Sequence, residues 1–257
     1  MELYLATGPE GLETALAATG HIAHAVGRIG EVSTLLLRPL PEALRGGLVL
    51  LSNQGAPRVE APEKLVQALV RLCRERHFAG VVLDFEGAAR PDLGKLAAML
   101  EGRLRRENLR LYVPEEYAGS VERAAVVVCT ALSGGFLEER LKEAVERFGA
   151  GRVALDLQRL RMDFPLPCPS GEGEALSGEE LEKRIAGQAV HFSVPLCARY
   201  VVLLRQGRGR LVLFDDEDTM AKKIALAEGL GIRQGFVMLP EVADLLPQLF
   251  GGQKEKS

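Results

Sequence analysis

Short apolar runs alternate with amphipathic stretches along most of this chain. The runs at 3–6, 33–37, 48–52, 80–85, 109–113, 125–130, 152–157 and 235–239 are brief and mostly aliphatic or β-branched, which predicts strands. Between them the period changes. Leu65, Leu69 and Cys73 recur every four residues with Val66 and Val70 beside them, and Leu93, Leu96, Leu100 and Leu104 follow Pro91 in a similar stripe. Leu137, Leu141, Ala144, Val145 and Phe148 form a third, closed by Gly149 as a C-terminal cap. Eight strands with helices between most of them, in 257 residues, predict an α/β fold of the (β/α)8 TIM-barrel type. A doubly wound open sheet is the alternative. No Gly-x-Gly-x-x-Gly follows the first strand, so no dinucleotide is expected.

The pattern breaks between the seventh and eighth strands, from about residue 158 to 218. Ser177 and Glu180 have the spacing of a capping box flanked by Leu176 and Leu181, which starts a helix reaching to about Ile185. Segments 200–204 and 210–214 flank Gln206-Gly207-Arg208-Gly209 and read as a hairpin. The expected organisation is one barrel domain over residues 1–250, with a small α+β insertion at 159–217 forming one wall of a cleft over the barrel rim. The proline-rich 164–169 stretch and Gly171-Glu172-Gly173 read as an exposed loop, and 251–257 as a charged, disordered tail.

A formal charge of −3 and a pI near 5.9 argue against nucleic acid as a partner. No window approaches the roughly 18 apolar residues of a membrane-spanning helix. Met1-Glu2-Leu3-Tyr4 has neither the basic start nor the apolar core of a signal peptide, which favours a cytoplasmic setting. Cys73, Cys129, Cys168 and Cys197 are widely spaced, and the four histidines include only a loose His21-x-x-His24, assigned to the first helix. No metal or other cofactor is expected.

Candidate chemistry sits at the end of Phe78-Ala79-Gly80-Val81-Val82-Leu83-Asp84-Phe85-Glu86. The run is apolar on both faces, as in a buried parallel strand. Alternation puts Asp84 and Glu86 on one side, at the sheet rim where α/β folds place their chemistry. In the seventh strand Asp156 and Gln158 also share a face. Asp156 is expected to be a paired acid, with Asp84 or Arg161 as partner.

These residues resemble glycoside hydrolase family 18, in particular its spore-type peptidoglycan branch. The family's fourth strand carries Asp-x-x-Asp-x-Asp-x-Glu; the matching positions here are Ala79, Val82, Asp84 and Glu86, and Asp84-Phe85-Glu86 falls on the fourth predicted strand. Leu51-Ser52-Asn53-Gln54-Gly55 resembles the family's Ser-x-Gly-Gly third-strand end. Val212-Leu213-Phe214-Asp215-Asp216, a helix from Thr219 to Leu230, then Gly235-Phe236-Val237-Met238-Leu239 follow the family's order. The departures are equally specific. Cys129-Thr130-Ala131-Leu132 replaces Met-x-Tyr-Asp, Leu160 stands near a seventh-strand Tyr, and the chain has no Trp to lie beneath a bound sugar.

The resemblance implies substrate-assisted, retaining hydrolysis of a glycan containing N-acetylglucosamine, such as peptidoglycan, spore cortex or chitin, in a cytoplasmic or spore-associated protein. Glu86 would be general acid and base, and Asp84 would orient the acetamido group. Tyr112, Asn53, Gln54, Asp156 and Gln158 are the candidate substrate contacts, and Asp215 and Asp216 have structural roles. Oligomeric state is not legible. A glycan-binding barrel that has lost turnover, and an unrelated barrel enzyme binding a divalent metal through Asp84 and Glu86, are the competing readings.

Overall fold

A computed structural model describes residues 1–42, 44–168, 171–205 and 208–251. Residues 206–207 of the expected hairpin, Pro169 of the expected proline-rich loop and 252–257 of the expected tail lie outside the described residues, while residues 164–166 of that stretch are not a loop but the end of a strand (Arg161–Leu166) in which Phe164 is buried.

Strands β1 (Glu2–Thr7) and β2 (Ile22–Ile29) pair in parallel, and β3 (Leu35–Leu37) runs antiparallel along β2. β4 (Leu48–Ser52), β5 (Gly80–Asp84), β6 (Arg110–Pro114), β7 (Ala125–Cys129) and β8 (Val153–Asp156) continue the parallel ladder. β9 (Arg161–Leu166), β10 (Glu174–Ala175), β11 (His191–Ser193), β12 (Ala198–Arg205) and β13 (Arg208–Phe214) leave it for a separate antiparallel sheet, in the order β10-β9-β13-β12-β11. β14 (Gln234–Met238) returns between β8 and β1. Eight parallel strands thus close on themselves: the fold is a (β/α)8 barrel with its extra sheet between the seventh and eighth strands.

Helices follow most strands: α1 (Leu12–Ala18), α2 (Pro62–Arg76), α3 (Pro91–Arg106), α4 (Leu137–Phe148), α5 (Gly178–Ile185) in the insertion, α6 (Glu217–Gly229), then short α7 (Leu239–Val242) and α8 (Leu246–Phe250). The stripe Leu93, Leu96, Leu100 and Leu104 of α3 is completely buried against the barrel wall, each side chain contributing roughly 1.5–3 kcal/mol. α2 begins on Pro62, whose missing N–H matches an unpaired helix-start position, and ends at His77 in the left-handed region (φ 53). Ser177 and Glu180 form the capping box expected for α5. Gly80 is required where β5 meets β6, since a Cβ there would sit 2.2 Å from the Arg110 carbonyl oxygen.

The barrel interior is its own core: Tyr4, Ala6, Ala23, Leu48, Leu50, Val82, Tyr112, Ala154 and Phe236 fill it below the mouth. Small residues on some strands make room for three aromatic rings from others, with Tyr112 edge-on to Phe236 at 5.1 Å and Tyr4 stacked on Phe236 at 5.5 Å.

The second barrel strand differs from the sequence expectation. It is β2, not 33–37, and His21 and His24 therefore stand at and within a strand rather than on a helix. β2 reads weakly because its inward face carries alanines, Ala23 and Ala25, while Ile22, Val26 and Ile29 pack outward. Leu36 and Leu37 are apolar but exposed.

Candidate active site

Asp84 is the last residue of β5 and shares the inward face with Val82; Phe85 turns outward to pack edge-on against Tyr117 at 5.5 Å, and Glu86 returns to the mouth. The two acids line one cavity of about 540 Å³ at the C-terminal end of the barrel, a volume suited to a small-molecule or sugar site. Burial pushes the Asp84 carboxyl up, and the Glu86 charge adds to it. Glu86 is exposed at the lip.

Asn53 follows β4 and is buried under Glu86 rather than open to a ligand. Its side-chain amide donates to the Glu86 carbonyl at 3.0 Å and accepts from the Glu86 N–H at 2.9 Å. This two-point clamp fixes the peptide that carries the second acid. Asn53→Ala is expected to leave that N–H without its partner, lower stability by about 1–3 kcal/mol, and release the Glu86 peptide. Denaturant unfolding measures the first effect, and the rate of the folded variant the second. Gln54 is exposed, donates its backbone N–H to Ser52 Oγ at 3.1 Å, and does not line the cavity.

Asp156 ends β8 on the same inward face as Ala154, beside Cys129 of β7 and Phe236 of β14, and lines the cavity with Asp84; exposed Gln158 lines it further out. Arg161, one expected partner, instead donates to the Glu241 carbonyl at 3.2 Å and lies 3.8 Å from Asp244. Burial, then the charges of Glu241 and Asp84, push the Asp156 carboxyl up to about 6.

The sign of the resulting stability effect follows. A carboxyl whose folded value is raised contributes stability that is complete below its unfolded value, about 4, and is lost as pH rises through about 6. Asp156→Asn stays neutral throughout. It is therefore expected to be more stable than the parent at about pH 8 by up to about 3 kcal/mol, with the gain vanishing toward about pH 4. Denaturant midpoints at the two pH values check this.

Tyr112 is not at the mouth. It pairs in register with Val82 and Ala125, is fully buried, and directs its hydroxyl to Gln234 Oε1 at 3.2 Å at the N-terminal end of the barrel. There Gln234 donates to Glu2 at 2.9 Å, and Tyr4 donates to Glu2 at 2.6 Å. Tyr112 belongs to a polar plug that closes the far end, a place of stability rather than chemistry in this fold.

The cavity also contains Glu115 and Glu241, which the sequence did not single out, and Cys129. Glu115, just after β6, is bridged by Arg140 of α4. Glu241 of α7 accepts from the Arg159 N–H at 3.0 Å, and burial pushes its carboxyl up. Cys129 donates to Gln158 Oε1 at 3.5 Å, and burial followed by the Asp156 charge pushes its thiol up, which leaves it a poor nucleophile. Glu241 follows the eighth strand directly, and that position was the only available signal. Among the described residues, no three His, Cys, Asp or Glu side chains are grouped to hold a metal ion, and no helix is long and apolar enough to cross a membrane.

The architecture has counterparts among solved structures. A chitinase from Chromobacterium violaceum ATCC 12472 is similar with a TM-score of 0.72 at 16% identity, over 100% of this chain and 99% of that one. The spore cortex-lytic enzyme SleL of Bacillus megaterium QM B1551 gives 0.69 at 16% identity, over 97% of this chain and 74% of that one. A family 18 chitinase from Cycas revoluta in complex with (GlcNAc)3 gives 0.67 at 12% identity, over 99% and 100%. The chain has the fold of a glycoside hydrolase family 18 chitinase. No protein-family model and no curated protein matches the sequence. Of the positions that depart from the family pattern, Val82 and Cys129 line this cavity, whereas Ala131 and Leu160 line a second one beside the insertion sheet. Cys129 and Met238 end the sixth and eighth barrel strands and line the cavity, and Phe236 is the ring on its floor.

Proposed function

We propose that this chain is a glycosidase that cleaves a glycan containing N-acetylglucosamine, with Glu86 as general acid and base and Asp84 as its electrostatic partner. The observation that carries the reading is the placement of Asp84 and Glu86 in one cavity at the C-terminal end of the fourth parallel barrel strand, in a fold shared with chitinases and a spore cortex-lytic enzyme. In the first step Glu86 gives its proton to the glycosidic oxygen, the C1–O bond breaks, and the sugar's own acetamido oxygen forms a bond to C1. Asp84 accepts the acetamido N–H and stabilises the positive charge that develops. In the second step Glu86 takes a proton from water, whose oxygen attacks C1 and breaks the bond between C1 and the acetamido oxygen, so the anomeric configuration is retained.

A second reading is a glycan-binding barrel without turnover. It is favoured by the sparse aromatic lining of the cavity, where among the described residues only Phe85 and Phe236 contribute rings and Phe85 packs away against Tyr117. Stacking area is a main source of sugar affinity, so binding of short oligomers is weak in either case. The deciding experiment incubates the protein with N-acetylglucosamine oligomers and purified cortex fragments, following reducing-end release beside direct binding. Release supports the glycosidase. Binding without release selects the second reading, and neither result with any substrate removes both.

A further inference from the structure

We infer that Asp156 serves the proposed glycan site as a neutral carboxylic acid, donating a hydrogen bond to an acceptor oxygen of an uncharged, N-acetylated sugar. The inference rests on the glycan reading above and adds a substrate-binding residue to it. Three observations converge. Asp156 points into the barrel from the end of β8, in register with Phe236 of β14, where the cavity opens. Asp156 is half-buried, and among the described residues neither a hydrogen bond nor an ion pair reaches its carboxyl group; burial and the like charges of Glu241 and Asp84 act on it. The backbone around it is satisfied, with the Asp156 carbonyl accepting from the Thr130 N–H at 3.0 Å and the Thr130 hydroxyl at 3.2 Å.

Burial and the charged surroundings favour the protonated acid up to about pH 6. Asp84 faces it from β5, and Glu241 from α7. Arg140, a cation lining the same cavity, is bridged to Glu115, and the Cys129 thiol beside Asp156 is held protonated. Arg159 and Arg161 act on Glu241 and Asp244 instead. An ionised, unpartnered carboxylate in this setting is costly, whereas a protonated one is tolerated and turns an acceptor-only group into a donor. Ring hydroxyl and acetamido carbonyl oxygens are acceptors that such a donor suits. The ammonium of a de-acetylated glucosamine unit would call for the ionised form and the opposite pH dependence.

Calorimetric titration of the intact protein with an N-acetylglucosamine tetramer tests this, between about pH 5 and 8, beside the fully de-acetylated tetramer at about pH 6. The acetylated oligomer should lose about tenfold in affinity per pH unit once Asp156 ionises, with one proton taken up on binding. Asp156→Asn, which keeps a donor and cannot ionise, should bind at about pH 8 within a few-fold of the parent at about pH 5, with no proton uptake. Asp156→Ala should bind more weakly at both. Parent affinity that is flat across this range, or Asp156→Asn that keeps the parent slope, would overturn the inference while leaving the glycan reading intact. So would a preference for the de-acetylated tetramer that Asp156→Asn abolishes. Absence of binding by both oligomers at every pH would overturn the glycan reading and this inference together.

Discussion

Glu86→Gln is expected to lower turnover of N-acetylglucosamine oligomers and cortex fragments by about 10²–10⁴-fold, the usual contribution of a general acid–base group, with binding changed little. Glutamine keeps the shape and much of the hydrogen bonding of the side chain, so what is lost is the transferable proton. The structure makes this a clean experiment. Glu86 is exposed, and the contacts that hold it run through its backbone to Asn53. The variant should therefore melt within a degree or two of the parent, since surface substitutions away from special features usually change stability by less than about 0.5 kcal/mol. Initial rates, binding isotherms and melting temperatures on the same preparation separate the effects. Activity retained within a few-fold in a folded Glu86→Gln protein would end the assignment of Glu86 as the acid–base, and leave Asp84-Phe85-Glu86 a polar strand end.

The barrel was legible where strands are buried on both faces. β5 reads as an unbroken apolar run because helices cover one side of it and the filled barrel interior the other, and its acids appear where that run stops. β2 was illegible for the converse reason: its inward alanines yield space to Tyr4 and its neighbours, so its pattern is set by packing partners far away in sequence. The short strands β9, β10 and β11 have little period of their own and exist through pairing within the insertion sheet. Tyr112 shows the limit of counting along a strand. It reads as a strand end in the sequence but is the middle residue of β6, and the barrel's stagger aligns it with Val82 of β5 and the first residue of β7, well below the mouth. Alternation did put Asp156 on the same face as Gln158, yet its lack of a partner emerges only once Arg161 is seen to be engaged elsewhere. Glu115 and Glu241 reach the cavity from short helical turns just past strand ends, too brief to show a period in the sequence.

Lys223→Met is expected to be among the most damaging single changes to the fold. Lys223 Nζ lies 2.7 Å from Asp215 Oδ2, and both side chains are completely buried. Asp215 also accepts from the Leu160 N–H and the Thr219 hydroxyl, each at 2.9 Å, while its own backbone N–H donates to the Leu160 carbonyl at 2.8 Å. The pair therefore ties α6 to the segment where the chain leaves β8 for the insertion. Asp216 beside it caps α6 in a reciprocal box with Thr219. Removing the ammonium leaves a buried carboxylate without its counter-charge, which destabilises by about 3–5 kcal/mol. The effect extends to the cavity, because Arg159 contacts the Asp215 carbonyl at 3.3 Å and positions Glu241 through its own N–H. Asp215→Asn in the same chain removes the stranded charge, so the double variant should recover part of the loss despite carrying one more substitution. Urea unfolding of the parent, both single variants and the double variant gives the coupling directly. A single Lys223→Met loss below about 1 kcal/mol, or a double variant whose loss is the sum of the two singles, would show that the pair does not hold α6 against the barrel in this way.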